Sequence, residues 1–141
     1  MATLNVTIKE ELTLNGSDKE AINTVTSTVT QLDHRILDIL HTGEQTILLF
    51  AAAVAAGTIK DATLDYLRIT NLDPTNFVTL RIAGNSEEYF VKLEALDSFI
   101  LNNSLMDANA AGGASVSLAA IDEIKAQANL GTCTLEIYAA A

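Results

Sequence analysis

The first segment of the chain alternates strictly between apolar and polar positions. Its odd positions are mostly polar, and Glu10 is the one charged residue among the even positions. A period of two is the spacing of side chains on one face of a β-strand. Asn15–Gly16 then supplies two residues that tolerate positive φ, which is typical of a tight turn. The apolar even positions are Leu4, Val6, Ile8, Leu12 and Leu14.

Shorter segments with strand character follow. Residues 22–32 also fit helical spacing, but the run 24–30 is β-branched at almost every position, which favours a strand. Ser17–Asp18–Lys19–Glu20 before it has the form of a cap for a short helical turn. Further strands are predicted at 33–41, 45–50, 65–70, 77–82, 89–93, 98–101 and 133–138.

Turn-forming residues separate these strands. The connector 71–76 contains asparagine, aspartate and the only proline of the chain, so it predicts a hairpin that joins 65–70 to 77–82. Turns are also predicted at 42–44 and at 84–87.

Three segments are less determined by their pattern. Residues 51–56 predict a loop or a short helical turn, and 102–117 predict a long loop low in bulky side chains. Residues 118–129 fit a helix or a strand, and the alternation at Ile124, Ala126 and Ala128 favours a strand in the second half.

About eight to ten strands with closely spaced turn signals indicate an all-β sandwich or barrel rather than βαβ units. A chain of 141 residues has the usual size of one domain. The sequence therefore predicts a single β-sandwich domain over 1–141 with at most one or two short helical turns.

The charge of the chain excludes several partners. It carries 18 acidic and 8 basic residues, a formal net charge of -10, with no cluster of lysine or arginine. Nucleic acids and anionic membranes are bound through basic patches, so neither is an expected partner. The longest apolar run, 47–56, is too short to cross a bilayer, and no signal peptide is recognisable at the N-terminus.

The residues capable of catalysis are few. His34 and His41 are the only histidines, and their spacing on a strand would place them on opposite faces, which argues against a shared metal ion. The lone Cys133 lies in a segment with a strand pattern, and we expect it to be a buried apolar residue. Asn71, Asp73 and Asn76 form an oxygen-rich loop that lacks the spacing of a calcium loop and reads as a structural turn.

Paired carboxylates do not change this interpretation. Adjacent residues of a strand point to opposite faces, so such pairs are not ready acid–base dyads. The pairs are Glu10–Glu11, Glu87–Glu88 and Asp122–Glu123. We expect a protein that is not an enzyme, with no catalytic, cofactor-binding or metal-binding residues and no cofactor.

The segments 66–78, 89–93 and 97–101 resemble small virion structural proteins of tailed bacteriophages, where a strand, an Asn-x-Asp-x-x-Asn turn and a strand precede a pair of strands ending in Ser-Phe. The resemblance implies a jelly-roll-like β-sandwich and a capsid decoration or cement protein. Its expected partners are the major capsid protein or other virion proteins and further copies of itself, for example in a trimer. It would be made in the host cytoplasm and reside on the capsid surface, with contacts made by 102–117 and the N-terminal segment.

Two alternatives follow from the same fold. One is a tail, neck or fibre-associated component of the virion. The other is a carbohydrate-binding module, in which Tyr66, Tyr89 or Tyr138 would stack on sugars, although the absence of tryptophan argues against it.

Overall fold

A computed structural model describes residues 1–60, 63–84, 86–106 and 118–141. Its regular elements in these ranges are all β-strands, and its contacts divide into two compact units, Met1–Thr30 and Gln31–Ala141. The all-β prediction is confirmed, with more strands than the pattern indicated. The strands are β1 (Ala2–Leu14), β2 (Ser17–Val29), β3 (Leu32–Ile39), β4 (Gln45–Ala51), β5 (Thr58–Lys60), β6 (Tyr66–Asn71), β7 (Val78–Gly84), β8 (Glu87–Leu93), β9 (Ser98–Leu101), β10 (Leu105–Met106), β11 (Ala119–Ala120), β12 (Glu123–Ala128) and β13 (Cys133–Ala140).

The first unit is one long antiparallel hairpin of β1 and β2. The two strands pair without interruption from Ala2 opposite Val29 to Leu14 opposite Ser17. Asn15 and Gly16 form the turn with φ values of 52° and 75°, as the sequence predicts. This pair of positive φ values matches the right-handed twist of the flanking strands.

The hairpin corrects one prediction and resolves another. Residues 22–32 are mainly strand, but Ser17–Glu20 belongs to β2 and caps no helical turn. The two-residue turn sets a register in which these four residues pair directly with residues 11–14 of β1. Their backbone groups are therefore committed to the strand ladder.

The second unit consists mainly of two sheets. One has the strand order β5-β4-β12-β7-β8 and the other has the order β3-β13-β6-β9. Neighbouring strands are antiparallel except for the parallel pair of β4 and β5. The short strands β10 and β11 pair with each other.

Both sheets contribute to one hydrophobic core, which makes this unit a β-sandwich. β13 shows the alternation clearly, because every second residue from Cys133 to Ile137 is fully buried while the residues between are partly exposed. The largest fully buried side chains of the core are Ile39, Ile47, Leu48, Ile59, Leu67, Ile69, Leu80, Ile82, Ile121, Ile124, Leu135 and Ile137. The jelly-roll strand order and the single domain over 1–141 stay predictions.

The connector 71–76 does not form the predicted hairpin. β6 pairs with β13 and β9, whereas β7 pairs with β12 and β8, so the connector passes from one sheet to the other. The alternating pattern specifies which face of a strand is buried but not which strand lies beside it. The hairpin prediction for this pair of strands was therefore wrong.

The remaining segments follow the favoured alternatives. Ala51 ends β4 and residues 52–56 follow as a loop without a helical turn, while 118–129 contain β11 and β12 instead of a helix. The predicted loop 102–117 is broken by β10 at its beginning. Its remainder, 107–117, lies outside the described residues.

Two polar side chains link the edges of the two sheets. Gln31 donates from Nε2 to the carbonyl of Thr58 at 2.5 Å and accepts from the amide of Lys60 at 3.2 Å. Arg35 donates from Nη2 to the carbonyl of Ile47 at 2.6 Å and pairs with Asp33 at 2.7 Å. β3 is thereby joined to β4 and β5 along one side of the sandwich.

Candidate interaction surfaces

The hairpin has one apolar face, which is the first candidate surface. Residues directly opposite each other in an antiparallel pair share a face. The even residues of β1 therefore lie on the same side as the odd residues of β2. We call this side the hairpin face; it consists of Ala2, Leu4, Val6, Ile8, Glu10, Leu12 and Leu14 with Ser17, Lys19, Ala21, Asn23, Val25, Ser27 and Val29.

Large apolar side chains of the hairpin face are open to solvent. Leu12, Leu14 and Val25 are 57%, 56% and 52% exposed, and Ile8 is 37% exposed. Scattered exposed apolar residues are normal, but a contiguous apolar patch marks an interaction site. The hairpin face is such a patch.

The opposite face of the hairpin is polar apart from Ile22 and is internally bonded. The hydroxyls of Thr7 and Thr24 form a hydrogen bond of 3.0 Å. Lys9 forms ion pairs with Glu11 at 2.7 Å and with Glu20 at 3.3 Å. Side chains on this face satisfy each other across the strands and are compatible with water. The two faces therefore differ in what they can bind, and only the hairpin face gains from being covered.

The outer face of the β3-β13-β6-β9 sheet is a second candidate surface. His34, Tyr138 and Tyr66 form a row of rings with centroid distances of 5.5 Å and 6.3 Å. Ile36 on the same face is 62% exposed. A sheet face with an exposed aliphatic group, an exposed imidazole and two partly exposed tyrosine rings is suited to contact with another molecule.

An ion-pair cluster lies beside these rings. Glu136 is 2.7 Å from Nη2 of Arg68 and 3.0 Å from Nε2 of His34. Hydrogen bonds from His34 and then from Arg68 lower the pKa of Glu136. This carboxylate is held ionised with both oxygens in use, so the cluster fixes a negative charge between two nitrogen donors on this face.

The tyrosines considered for sugar binding are only partly brought together. Tyr66 and Tyr138 are neighbours on the outer face, with their rings at 67° to each other. Tyr89 packs against the hydrophobic core from β8 instead, and burial raises its pKa. A stacking platform of all three tyrosines is therefore not formed.

The two histidines do not converge. His34 lies on β3, whereas His41 follows the strand and contacts the carbonyl of Gly131 at 3.1 Å through Nδ1. Within the described residues, no group of three or more histidine, cysteine, aspartate or glutamate side chains is placed to hold a metal ion.

The predicted carboxylate pairs are dispersed among different partners. Glu10 and Glu11 lie on opposite faces of the hairpin, as predicted. Arg81 on β7 forms ion pairs with one member of each of the other two pairs, with Glu88 at 2.7 Å and with Glu123 at 3.6 Å. Glu44 is 3.1 Å from its Nε, and the pKa of Arg81 is raised, first by the hydrogen bond to Glu88.

The oxygen-rich loop is a structural turn, as predicted. Asp73 accepts from the amides of Thr75 at 2.8 Å and Asn76 at 2.7 Å, and these bonds lower its pKa. Asn71 is fully buried and donates to the carbonyls of Asn76 at 2.7 Å and Glu94 at 3.0 Å. The polar atoms of the loop are used to order its own backbone.

Cys133 is fully buried, which confirms the interpretation as a core residue. Burial, and then the charge of Asp73, raise the pKa of its thiol. A thiol with a raised pKa is mostly protonated and a poor nucleophile at neutral pH.

The pattern of the sequence contained the hairpin face but not the second surface. The even positions 4–14 and the Asn15–Gly16 turn are enough to place the apolar residues of β1 on one side. The cluster of Arg68, His34 and Glu136 brings together residues far apart in sequence, because β13 lies between β3 and β6. No local sequence pattern predicts such a cluster.

Comparison with known proteins was made by family, by sequence and by structure. No protein-family model, no curated protein and no solved structure matched the chain. Among the described residues there is also no helix with the length and hydropathy needed to span a membrane.

Proposed function

We propose that this chain is a structural protein of a bacteriophage virion, a capsid decoration or cement protein that binds the major capsid protein and stabilises the shell. The observation that carries the proposal is the hairpin face, an exposed apolar patch on a hairpin of two thirteen-residue strands. A patch of this kind favours binding to other subunits over turnover of a substrate.

Three further features support the proposal. The sandwich provides a stiff scaffold with one core, and the outer face with Tyr66 and Tyr138 offers a second contact area. The acidic charge of -10 steers the chain towards basic surfaces. The segments 66–78, 89–93 and 97–101 carry the resemblance to phage virion proteins.

The proposal assigns the chain to the outside of the virion, after synthesis in the host cytoplasm, as a homo-oligomer without a catalytic step. Binding to the assembled shell and not to its free subunits would stabilise the shell by mass action, by about 2.7 kcal/mol per site at a hundredfold excess over Kd. A jelly-roll strand order belongs to the same proposal.

The test uses shells assembled from a major capsid protein encoded beside this chain. Purified protein should bind at a fixed number of copies per capsomer and raise the melting temperature of the shell in calorimetry. Shells that melt at the same temperature with and without bound protein would contradict the stabilising role. Immunogold labelling of virions separates decoration, with label over the head, from the tail, neck or fibre alternative, with label at one vertex or on the tail.

One observation favours a second function. Tyr66 and Tyr138 lie together on an open sheet face beside Arg68 and Glu136, which is a plausible arrangement for carbohydrate binding. Glycan-array binding that disappears in Tyr66→Ala and Tyr138→Ala but persists in Tyr89→Phe would support it. Absence of any glycan signal for the wild-type chain would remove this candidate.

A further inference from the structure

We infer that the hairpin face binds the hairpin face of a second copy of this chain, with a two-fold axis running along the length of the hairpin. The inference deepens the proposed function and rests on it only for its biological purpose. Its structural basis is the hairpin alone.

The first argument is the cost of leaving the face uncovered. A two-stranded hairpin is marginally stable in water on its own, and here Leu12, Leu14 and Val25 are each more than half exposed. Removing apolar surface from water contributes roughly 25 cal/mol per Å². The hairpin face of a second copy has the same apolar surface and the same length, so each copy can cover the other.

The second argument is the charge on the face. Glu10 and Lys19 are its only charged residues, so the face is neutral in a chain of net charge -10. Neither side chain makes a hydrogen bond or ion pair within the described residues. One unpaired anion and one unpaired cation on a neutral apolar face are complementary to the same face of a second copy.

The third argument is geometrical and selects the axis. With the axis along the hairpin, β1 of one copy lies over β2 of the other at every level, so the exposed apolar residues between Val25 and the turn overlap. Glu10 lies directly opposite Ala21 in the hairpin. The next pair on the same face, towards the turn, is Leu12 opposite Lys19. Glu10 therefore lies diagonally opposite Lys19 of the second copy, and each two-fold pair gains this contact twice.

The antiparallel arrangement lacks this match. If the two hairpins ran in opposite directions with full overlap, Glu10 would lie over Val6 of the second copy and Lys19 over Ser27. Both charges would then be covered without a partner, which is costly.

The open part of the hairpin face has the size of a weak interface. Val29 is buried and Leu4 is partly buried at the base of the hairpin, so the open part extends from the level of Val25 to the turn. At ~3.4 Å per residue and ~4.8 Å per strand, the nine residue pairs from Val6 opposite Val25 to Leu14 opposite Ser17 cover a footprint of roughly 30 by 10 Å. Two copies together contribute about 600 Å², which is below the range of stable interfaces, so we expect a dimer that forms at high protein concentration.

The first experiment is sedimentation velocity of the full chain over a range of concentrations. The wild-type chain should form dimers, and Val25→Asp should weaken the association at least about tenfold, since it places a charge in the apolar contact. Ile22→Asp is the matched control: Ile22 is 58% exposed and Val25 52%, both lie on β2, and they point to opposite faces. A wild-type chain that stays monomeric, or a trimer, would overturn the inference, as would equal dissociation of the two variants.

A charge reversal tests the pairing without adding a charge to the apolar residues. Glu10→Lys and Lys19→Glu should each weaken the dimer, and the double variant should restore it. Single variants that associate as tightly as the wild type would overturn the predicted contact. Loss of restoration in the double variant would do the same.

The axis is tested by the distance between spin labels near the hairpin tip. Labels at Thr13→Cys in a Cys133→Ala background should lie about 20–25 Å apart with parallel hairpins and about 40 Å apart with antiparallel hairpins. The longer distance would overturn the two-fold axis proposed here. A chain that dimerises in this way but leaves capsid shells unbound contradicts only the proposed function. A monomer that binds and stabilises shells contradicts this inference and the proposed homo-oligomer, but not the binding to the capsid.

Discussion

Asn71 holds the connector between β6 and β7 through its side chain. It is fully buried and donates from Nδ2 to two carbonyls at 2.7 and 3.0 Å, those of Asn76 and Glu94. Asn71→Ala leaves these acceptors in the interior without a donor and should lower the free energy of unfolding by about 1–3 kcal/mol. Chemical denaturation measures the change.

The side chain of Asn76 offers a control for this prediction. Its Nδ2 donates to the hydroxyl of Thr75 at 3.2 Å, and its side chain makes the last and smallest contribution to the lowered pKa of Asp73. Asn76→Ala should therefore change the free energy of unfolding by less than about 0.5 kcal/mol. Equal losses in both variants would show that Asn71 is not the anchor of the connector.

Asp73 makes the stability of the turn depend on pH. Its pKa lies below the ordinary value of 3.8 because the backbone amides of Asn76 and Thr75 donate to the carboxylate. A carboxylate with a lowered folded pKa stabilises the fold above its unfolded pKa, and this contribution is lost as the pH falls through the folded value.

The expected result is a pH-dependent difference between the wild type and Asp73→Ala. The wild type should be more stable at neutral pH, and the difference in free energy of unfolding should shrink over the acidic interval that begins at the ordinary pKa of 3.8 and extends below it. Urea denaturation at each pH gives this difference. A difference that stays constant over that interval would contradict the assignment.

At the scale of elements, the end of β7 passes unusually close to the chain at β11. A Cβ atom on Gly84 would lie 2.2 Å from the carbonyl oxygen of Ala120 and 2.9 Å from Cα of Ile121. These are backbone atoms that cannot rotate away. Gly84→Ala should therefore lower the free energy of unfolding by about 1–3 kcal/mol through overpacking.

Gly43 is the control for Gly84. It lies in the turn after β3, and a Cβ atom there would meet nothing within 4 Å. Gly43→Ala should leave the thermal midpoint close to that of the wild type, while Gly84→Ala lowers it. Equal midpoints for the two variants would show that β7 and β11 can separate without cost.

The elements also show which kind of prediction succeeds. The alternation in 4–14 and 133–138 predicted strands with one apolar face, and β1 and β13 are such strands. β13 buries its apolar face, whereas the apolar residues of β1 are exposed or half-buried. The same alternation could not reveal that β6 and β7 enter different sheets. Local side-chain spacing sets the buried face, whereas strand partners depend on contacts distant in sequence.

At the scale of the whole molecule, the hydrophobic core belongs entirely to the second unit. Every member of the core cluster lies between Ile39 and Ala141, and Gln31 and Ala141 exchange backbone hydrogen bonds of 2.8 and 3.0 Å. A chain truncated to 31–141 should therefore keep its fold and unfold cooperatively. Circular dichroism and amide spectra by NMR would show this.

Failure of that truncated chain to fold would have a clear meaning. It would show that the hairpin of residues 1–30 is needed for the core, in agreement with one domain over the whole chain. Cooperative unfolding of 31–141 would instead establish that residues 31–141 fold without the hairpin.

The sequence by itself determined the all-β class, most strand positions, the hairpin turn at Asn15–Gly16 and the apolar side of β1, because these depend on side-chain period and local φ preferences. The tertiary structure decided that β6 and β7 separate into two sheets. It also joined Arg68, His34 and Glu136 on one face and brought Gly84 against Ala120. These features arise where chain segments far apart in sequence meet, and only the packing of the whole core selects which segments become neighbours.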